Sequence, residues 1–192
     1  MLFFTADQHF FHTNIIHSTN RPWLPTDQND KLIEHWNNVV GEDDIVWQLG
    51  DFSFGTYENT VEIIKMLNGN IFFVIPHDHH DKRWLKKWLK VGMPLATKTG
   101  QATYKGQFHV LRLKVLCRDG YSMKISLLHY PLASWEASYH GAIHLHGHSH
   151  GKMPWADNRM DVGVDCNHYE PVAIGHIVYE MQLLKKGWEW HG

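Results

Sequence analysis

The stretch DIVWQLGDFSFG, from Asp44 to Gly55, decides the fold. A mostly apolar run from Ile45 to Leu49 is entered from acidic residues and left through Gly50, the pattern of a buried strand closed by a turn. MLFFTA at Met1–Ala6 and IFFVI at Ile71–Ile75 repeat that pattern. Between them lie DKLIEHWNNVV (Asp30–Val40) and ENTVEIIKMLN (Glu58–Asn68), whose apolar residues recur at helical spacing. Strands alternating with helices imply a largely parallel sheet covered by helices. The second half changes character. FHVLRLKVLCRDGYSMKISLLHY (Phe108–Tyr130) alternates apolar and polar residues around Asp119 and Gly120, which predicts a hairpin with antiparallel strands to follow.

A chain of 192 residues, 43% of them hydrophobic, suits one α/β domain over 1–192 with a sizeable core. There is no internal repeat, biased tract or flexible linker to divide it. The formal charge is −2, and the 18 Lys and Arg form no long block beyond KRWLKKWLK (Lys82–Lys90), which reads as an exposed helix face. A broad nucleic-acid footprint is therefore not expected, although that one run leaves a nucleic-acid substrate open. Cys117 and Cys166 stand far apart and outside any CxxC spacing, which argues against a disulfide framework and against thiolate zinc. The opening MLFF has no basic flank and meets Asp7 at once, and no window reaches the ~18 apolar residues of a span, so a cytoplasmic chain without membrane contact is expected.

The 17 histidines need to be read one by one. TADQH sets Asp7 and His9 just beyond the first strand, and alternate residues there can reach one ion. Asp51 follows Gly50 at the end of the second strand, and HDHH (His77–His80) follows the third. In open α/β sheets, ligands gather outside the carboxyl ends of the strands. SLLHYP adds His129 at the end of the hairpin, and HLHGHSH adds His148 and His150 after a glycine. One Asp or His at a strand end is ordinarily a cap or turn residue. Five strand ends finishing in His or carboxylate point instead to a metal site assembled from loops. His12, His17, His35, His109, His140, His144 and His168 lack such company and read as surface or supporting residues. His146 alternates with the candidate ligands and can line the site. Trp84 and Trp88, at helical spacing, read as packing.

The order DxH, GD, HDHH, H, GHxH resembles the calcineurin-like metallophosphoesterases over nearly the whole chain. HFFHTNII, IVWQLGDFSFG and DVGVD also resemble the small bacterial and phage-type members. The resemblance implies a four-layer αββα sandwich with mixed β-sheets and two divalent metal ions bridged by Asp51. Asp7, His9 and His150 would complete one metal site, and His129 with His148 the other. The chain departs from that family at its GNH motif, which supplies a metal ligand and the proton donor. Read without a gap, Asp78 replaces the metal-binding asparagine and His79 remains the acid. Read with a two-residue deletion, His77 becomes the acid and the asparagine has no counterpart; the gapless reading is preferred because it keeps the length of the turn.

The donor set suits such chemistry on its own terms. Imidazole and carboxylate without thiolate favour Mn²⁺, with Fe, Zn²⁺, Ni²⁺ or Co²⁺ also compatible, over the all-oxygen shells of Mg²⁺ and Ca²⁺. Two ions ~3.5–4 Å apart can lower the pKa of a shared water from about 15.7 toward ~7 and hold phosphoryl oxygens for in-line attack. No serine or cysteine nucleophile motif competes with that reading. The expected function is hydrolysis of small phosphodiesters, nucleotides among the candidates, with phosphomonoesters second. A catalytically impaired metal-binding protein of the same fold, and a nuclease acting on nucleic-acid ends, are the alternatives.

Overall fold

A computed structural model describes residues 1–76, 80–92, 94–105, 110–116, 122–154 and 156–181. The chain starts with strand β1 (Leu2–Thr5) and passes through the short helix α1 (Ile15–Thr19) and α2 (Gln28–Val39) to β2 (Ile45–Gln48). Helix α3 (Tyr57–Met66), β3 (Asn70–Phe73), α4 (Lys82–Val91), β4 (Leu95–Ala96) and β5 (Gln101–Tyr104) follow. The second half holds β6 (Leu111–Leu116), β7 (Ser122–Leu127), β8 (Ile143–His146), β9 (Arg159–Asp161), β10 (Val172–Ala173) and α5 (Ile174–Glu180).

These strands form two mixed sheets. The first has the order β10-β1-β2-β3-β5-β4, with β1, β2, β3 and β5 parallel and a short antiparallel strand at each edge. Because three strands run the same way, the residues after β1, β2 and β3 emerge at one end of the sheet. The second sheet has the order β6-β7-β8-β9. Its β6–β7 pair is antiparallel as the alternation predicts, with Leu116 opposite Ser122. The strands that follow are not antiparallel: β7 pairs with β8, and β8 with β9, in parallel. The segments 128–142 and 147–158 are long enough for crossovers, which need about a dozen residues, rather than tight turns. This difference matters for the site. Parallel pairing brings the ends of β7 and β8 to one side, whereas a hairpin would have set His129 and His148 at opposite ends.

Alternation along each strand sorts its side chains into two cores. Phe3, Val46, Ile71 and Phe73 face α2, α3 and α4, where Leu32, Trp36, Ile63, Ile64, Trp84 and Trp88 meet them. Trp84 and Trp88 stack at 5.6 Å and both lie edge-on to Phe73, so they are packing residues. Phe4, Leu49 and Val74 face the other way, onto Ile125, Leu127, Ile143, Leu145 and Met160 of the second sheet. Fully burying a side chain of this kind contributes ~1.5–3 kcal/mol, so the two cores fix how the sheets meet. A backbone splice fixes it further. After β9 the chain crosses to the first sheet, where Ala6 N–H donates to the Val162 carbonyl at 3.2 Å and Val164 N–H to the Ala6 carbonyl at 3.0 Å. The ends of both sheets are thereby joined beside Asp7.

Candidate metal centre

The loop after β1 lies against the loop after β2. Asp7 N–H donates to the Gly50 carbonyl at 3.1 Å, His9 N–H to that of Asp51 at 2.9 Å and Phe10 N–H to that of Phe52 at 2.9 Å. Two buried glutamines lock the same loops: Gln48 donates to Gln8 Oε1 at 3.0 Å and to the Gly50 carbonyl at 2.8 Å. Asp81, at the start of α4, holds the far side through its carboxylate. It accepts from Phe52 N–H at 3.1 Å, Ser53 N–H at 2.9 Å and Trp84 Nε1–H at 2.8 Å. Helix α4 is therefore docked directly onto the loop that carries Asp51.

Six of the candidates, Asp7, His9, Asp51, His129, His148 and His150, converge. Asp7, His9 and His150 bring ligand atoms within 4.8 Å of one another, and Asp51, His129 and His148 do the same. Asp51 joins the two trios, its Oδ2 standing 3.5 Å from His9 Nε2 and 3.3 Å from His129 Nε2. Asp78, His79 and the alternative acid His77 lie outside the described residues. The backbone around the trios is unusual. Asp7, His9, Asp51, His148 and His150 have φ between 47° and 68°. Left-handed backbone costs ~1–3 kcal/mol per non-glycine residue and persists where the surroundings over-determine it, as at binding sites. Close packing enforces it: a Cβ added to Gly147 would stand 2.4 Å from Ala6 Cβ, and one added to Gly163 would stand 2.5 Å from Asp7 Oδ2.

The electrostatics are compatible with a cation. Burial, and then the neighbouring Asp161 and Asp51 carboxylates, push the Asp7 carboxyl well above the usual range, although His148 N–H donates to both of its oxygens. Burial also lowers His9 to about 3, so its ring is neutral, the form that binds metal. Neither ring nitrogen of His9 makes a hydrogen bond among the described residues. A buried imidazole left so costs free energy that coordination would recover. The donor set, the crowded carboxylates and the unbonded His9 nitrogens fit two divalent ions.

Supporting residues come from positions with no sequence proximity to the candidate ligands. His150 Nδ1 lies 2.7 Å from Asp165 Oδ2, which leaves Nε2 to face the trio. Arg21 clasps the same carboxylate through Nε at 2.7 Å and Nη2 at 3.0 Å. Two further N–H groups donate to the Gln8 and Asp7 carbonyls, both at 2.8 Å. Asp165 is held at about 2 against the upward pull of burial by His150 and Arg21. Asp161 secures the loop bearing His148 and His150: it accepts from Ser149 Oγ–H at 2.6 Å and Gly151 N–H at 3.0 Å. The DVGVD stretch contains both acids, so composition flagged it, but nothing in its spacing assigns their roles. Removing such a support ordinarily costs 10–100-fold in metal affinity. If the trios bind metal, Asp165→Ala should weaken binding at the Asp7/His9/His150 trio by about that factor in a calorimetric titration with Mn²⁺ and leave the other trio unchanged. Unaltered affinity for both would exclude an orienting role.

The other histidines divide. His144 is a buried core residue, its Nδ1 at 3.0 Å from the Ser126 carbonyl and its Nε2 accepting from Leu132 N–H at 3.1 Å. His146 does not line the trios; it faces a separate cavity of about 500 Å³ shared with Arg159, Asp161 and His176. His12 stacks on Phe54 at 4.1 Å with its ring 5.4 Å from that of His9, and His80 stacks on Phe54 at 5.0 Å. His80, which spacing alone did not single out, thus shares the rim of the site with His12.

No protein-family model matches the chain. It is 31% identical to the uncharacterized protein MJ1445 of Methanocaldococcus jannaschii, over 97% of this chain and 92% of that protein. The Gene 66 proteins of mycobacterium phages D29 and L5 are 24% and 22% identical over 87% and 85% of this chain. They are covered over 89% and 86% of their own lengths. Among solved structures, the protein of unknown function AQ665 from Aquifex aeolicus shares the fold, with a TM-score of 0.62 at 20% identity over 94% of this chain and 98% of that one.

Proposed function

The chain belongs to the family of the M. jannaschii protein MJ1445, and because that name assigns no activity we propose a function from the site itself: metal-dependent hydrolysis of phosphodiesters, with phosphomonoesters second. The observation that carries the reading is the junction of the two His/Asp trios at one buried carboxylate, Asp51. In this reading the two sheets and their helices form the four-layer αββα sandwich of the calcineurin-like metallophosphoesterases. Asp7, His9 and His150 would hold one ion, His129 and His148 the other, and Asp51 both.

Divalent ions so held, Mn²⁺ foremost, would neutralise phosphoryl charge and lower the pKa of water. What the chain itself does is bind and orient. Asp165 and Arg21 fix the ring of His150, and Asp161 fixes its loop. The departing alkoxide oxygen needs a proton, and a histidine at the rim is the natural donor. His79, the acid of the gapless register, lies outside the described residues; His80 is a second candidate, its ring stacked on Phe54 beside His12. Asp78, if it also ligates, adds a negative charge beside the phosphate.

The test is a screen of protein reconstituted with Mn²⁺ against bis-p-nitrophenyl phosphate, p-nitrophenyl phosphate and a panel of nucleotides. The purified chain should carry up to two transition-metal ions, lose activity on chelation and regain it with Mn²⁺. Turnover of the diester should exceed that of the monoester. Two bound ions with no hydrolysis of any ester would leave a metal-binding protein, and full activity in metal-free protein would end the proposal.

A further inference from the structure

We propose that the outer face of α4 is a track for single-stranded nucleic acid, leading a phosphodiester of the strand into the metal centre. The inference rests on the phosphodiesterase reading above and names its substrate class.

Helix α4 is amphipathic in an unusual way. Trp84, Leu85 and Trp88 are buried in the core between the helices and the first sheet, while Lys82, Arg83, Lys86, Lys87 and Lys90 are exposed. At ~100° per residue the five cations occupy an arc of about 140° opposite the buried stripe. The helix contains no acidic residue. An ordinary solvated face mixes signs, and the neighbouring helices do so: α2 carries Asp30, Lys31 and Glu34, and α3 carries Glu58, Glu62 and Lys65. Lysines there have partners, Lys31 with Glu34 and Lys65 with Glu62. On α4 only Lys87 has a described acidic partner, Glu58 of α3. Five of the 18 Lys and Arg of a chain with formal charge −2 therefore lie together on ten residues. Such a concentration of one sign costs self-repulsion that a polyanion would relieve.

The position of the helix gives the charge a direction. Asp81, immediately before Lys82, accepts from the amides of Phe52 and Ser53, the two residues after Asp51. The first cations of α4 thus begin at the loop of the bridging carboxylate. At ~1.5 Å per residue the row from Lys82 to Lys90 extends about 12 Å away from it, enough for a few consecutive phosphates. The metal centre is crowded with carboxylates, so an anionic polymer needs a cationic approach before it can reach the site. Where the row meets the site, exposed His80 and half-buried Phe54 form an aromatic rim. Cations that follow a backbone, joined to ring faces that accept any base, are how single strands are held without sequence preference.

The experiment uses the full chain reconstituted with Mn²⁺ and a fluorescein-labelled 20-mer with a phosphorothioate backbone, read by anisotropy, with cleavage of the normal-backbone DNA and RNA 20-mers followed in parallel. Affinity should fall with salt at a log–log slope of about −3, as expected for four to five phosphates neutralised on a single strand. The triple variant Lys82→Glu/Lys86→Glu/Lys90→Glu should bind at least tenfold more weakly, flatten the slope and cleave the oligonucleotides correspondingly slower. Its turnover of bis-p-nitrophenyl phosphate should stay within twofold, which also reports an intact fold. The triple Lys→Ala variant should shift binding in the same direction by a smaller factor. Oligonucleotide affinity unchanged in the Glu variant would overturn the proposal, as would equal affinity for a duplex, or binding to phosphatidylglycerol vesicles without binding to the 20-mer. In those cases continued hydrolysis of the nitrophenyl diester would leave the phosphodiesterase reading standing. Loss of that hydrolysis in the wild-type chain would instead remove the reading and the delivery together.

Discussion

An Asp51→Asn variant should retain fewer than two metal ions per chain and lose on the order of 10³ in turnover of bis-p-nitrophenyl phosphate. The magnitude follows from the several kcal/mol of charge stabilisation that metal ions supply, at about 1.4 kcal/mol per tenfold in rate. Asp51 is poised between the trios, its Oδ2 at 3.5 Å from His9 Nε2 and 3.3 Å from His129 Nε2. Asparagine keeps the shape and removes the charge that both ions would share. It also suits the backbone, because φ at Asp51 is 52° and asparagine visits the left-handed region at little cost. The loop itself is held through main-chain groups, the Asp51 carbonyl accepting from His9 N–H and the next two amides donating to Asp81. Thermal stability of the metal-free variant should therefore match that of the metal-free wild type. His148→Ala and His150→Ala, by contrast, should each weaken mainly one ion. Two ions and near-normal turnover in Asp51→Asn would remove the bridging role.

How far that site could be read in advance depended on which interactions were local. The strand runs ending in Asp7, Asp51 and Pro76 were visible because parallel strands alternate with helices and finish at one end. The hairpin of β6 and β7 was equally legible from alternation. The pairing of β7 with β8 was not, because nothing in fifteen-odd intervening residues distinguishes a crossover from a wide turn. The row of His144, His146, His148 and His150 shows the same limit. Strand alternation holds only through His146, and the chain then bends at Gly147, which fits closely against Ala6 and Asp7. His148 and His150 reach the ligand trios beyond that bend, whereas His144 stays among Trp135 and the Ser126 carbonyl. Arg21 and Asp165 lie 144 positions apart in the chain, so their pairing exists only once both sheets are assembled. The left-handed backbone at five of the six candidate ligands is likewise a property of the packed loops rather than of residue type.

His80→Ala should slow esters with poor alkoxide leaving groups by ~10²–10⁴, the usual worth of a positioned acid, and slow nitrophenyl esters far less. The difference arises because nitrophenolate departs without help, whereas an alkoxide needs its proton in the transition state. Three histidines compete for the role. Spacing without a gap favours His79, and a two-residue deletion favours His77. The anchoring of the following residue speaks for His80: Asp81 is fixed by Phe52, Ser53 and Trp84, so the side chain immediately before it is carried to the Asp51 loop. There its ring stacks on Phe54 at 5.0 Å, the same ring that His12 covers at 4.1 Å. A substituent that merely packs on Phe54 would change both classes of ester alike, so the ratio of the two rates separates proton donation from shape. His80→Asn, which retains polarity without a proton to give, should reproduce the alanine effect on alkyl esters. If His79→Ala gives the leaving-group-dependent loss while His80→Ala is mild, the gapless register is correct, and Asp78→Asn should then keep or raise activity by removing a negative charge beside the phosphate. If the dependence follows His77 instead, the deletion register is correct and this turn supplies no second metal ligand.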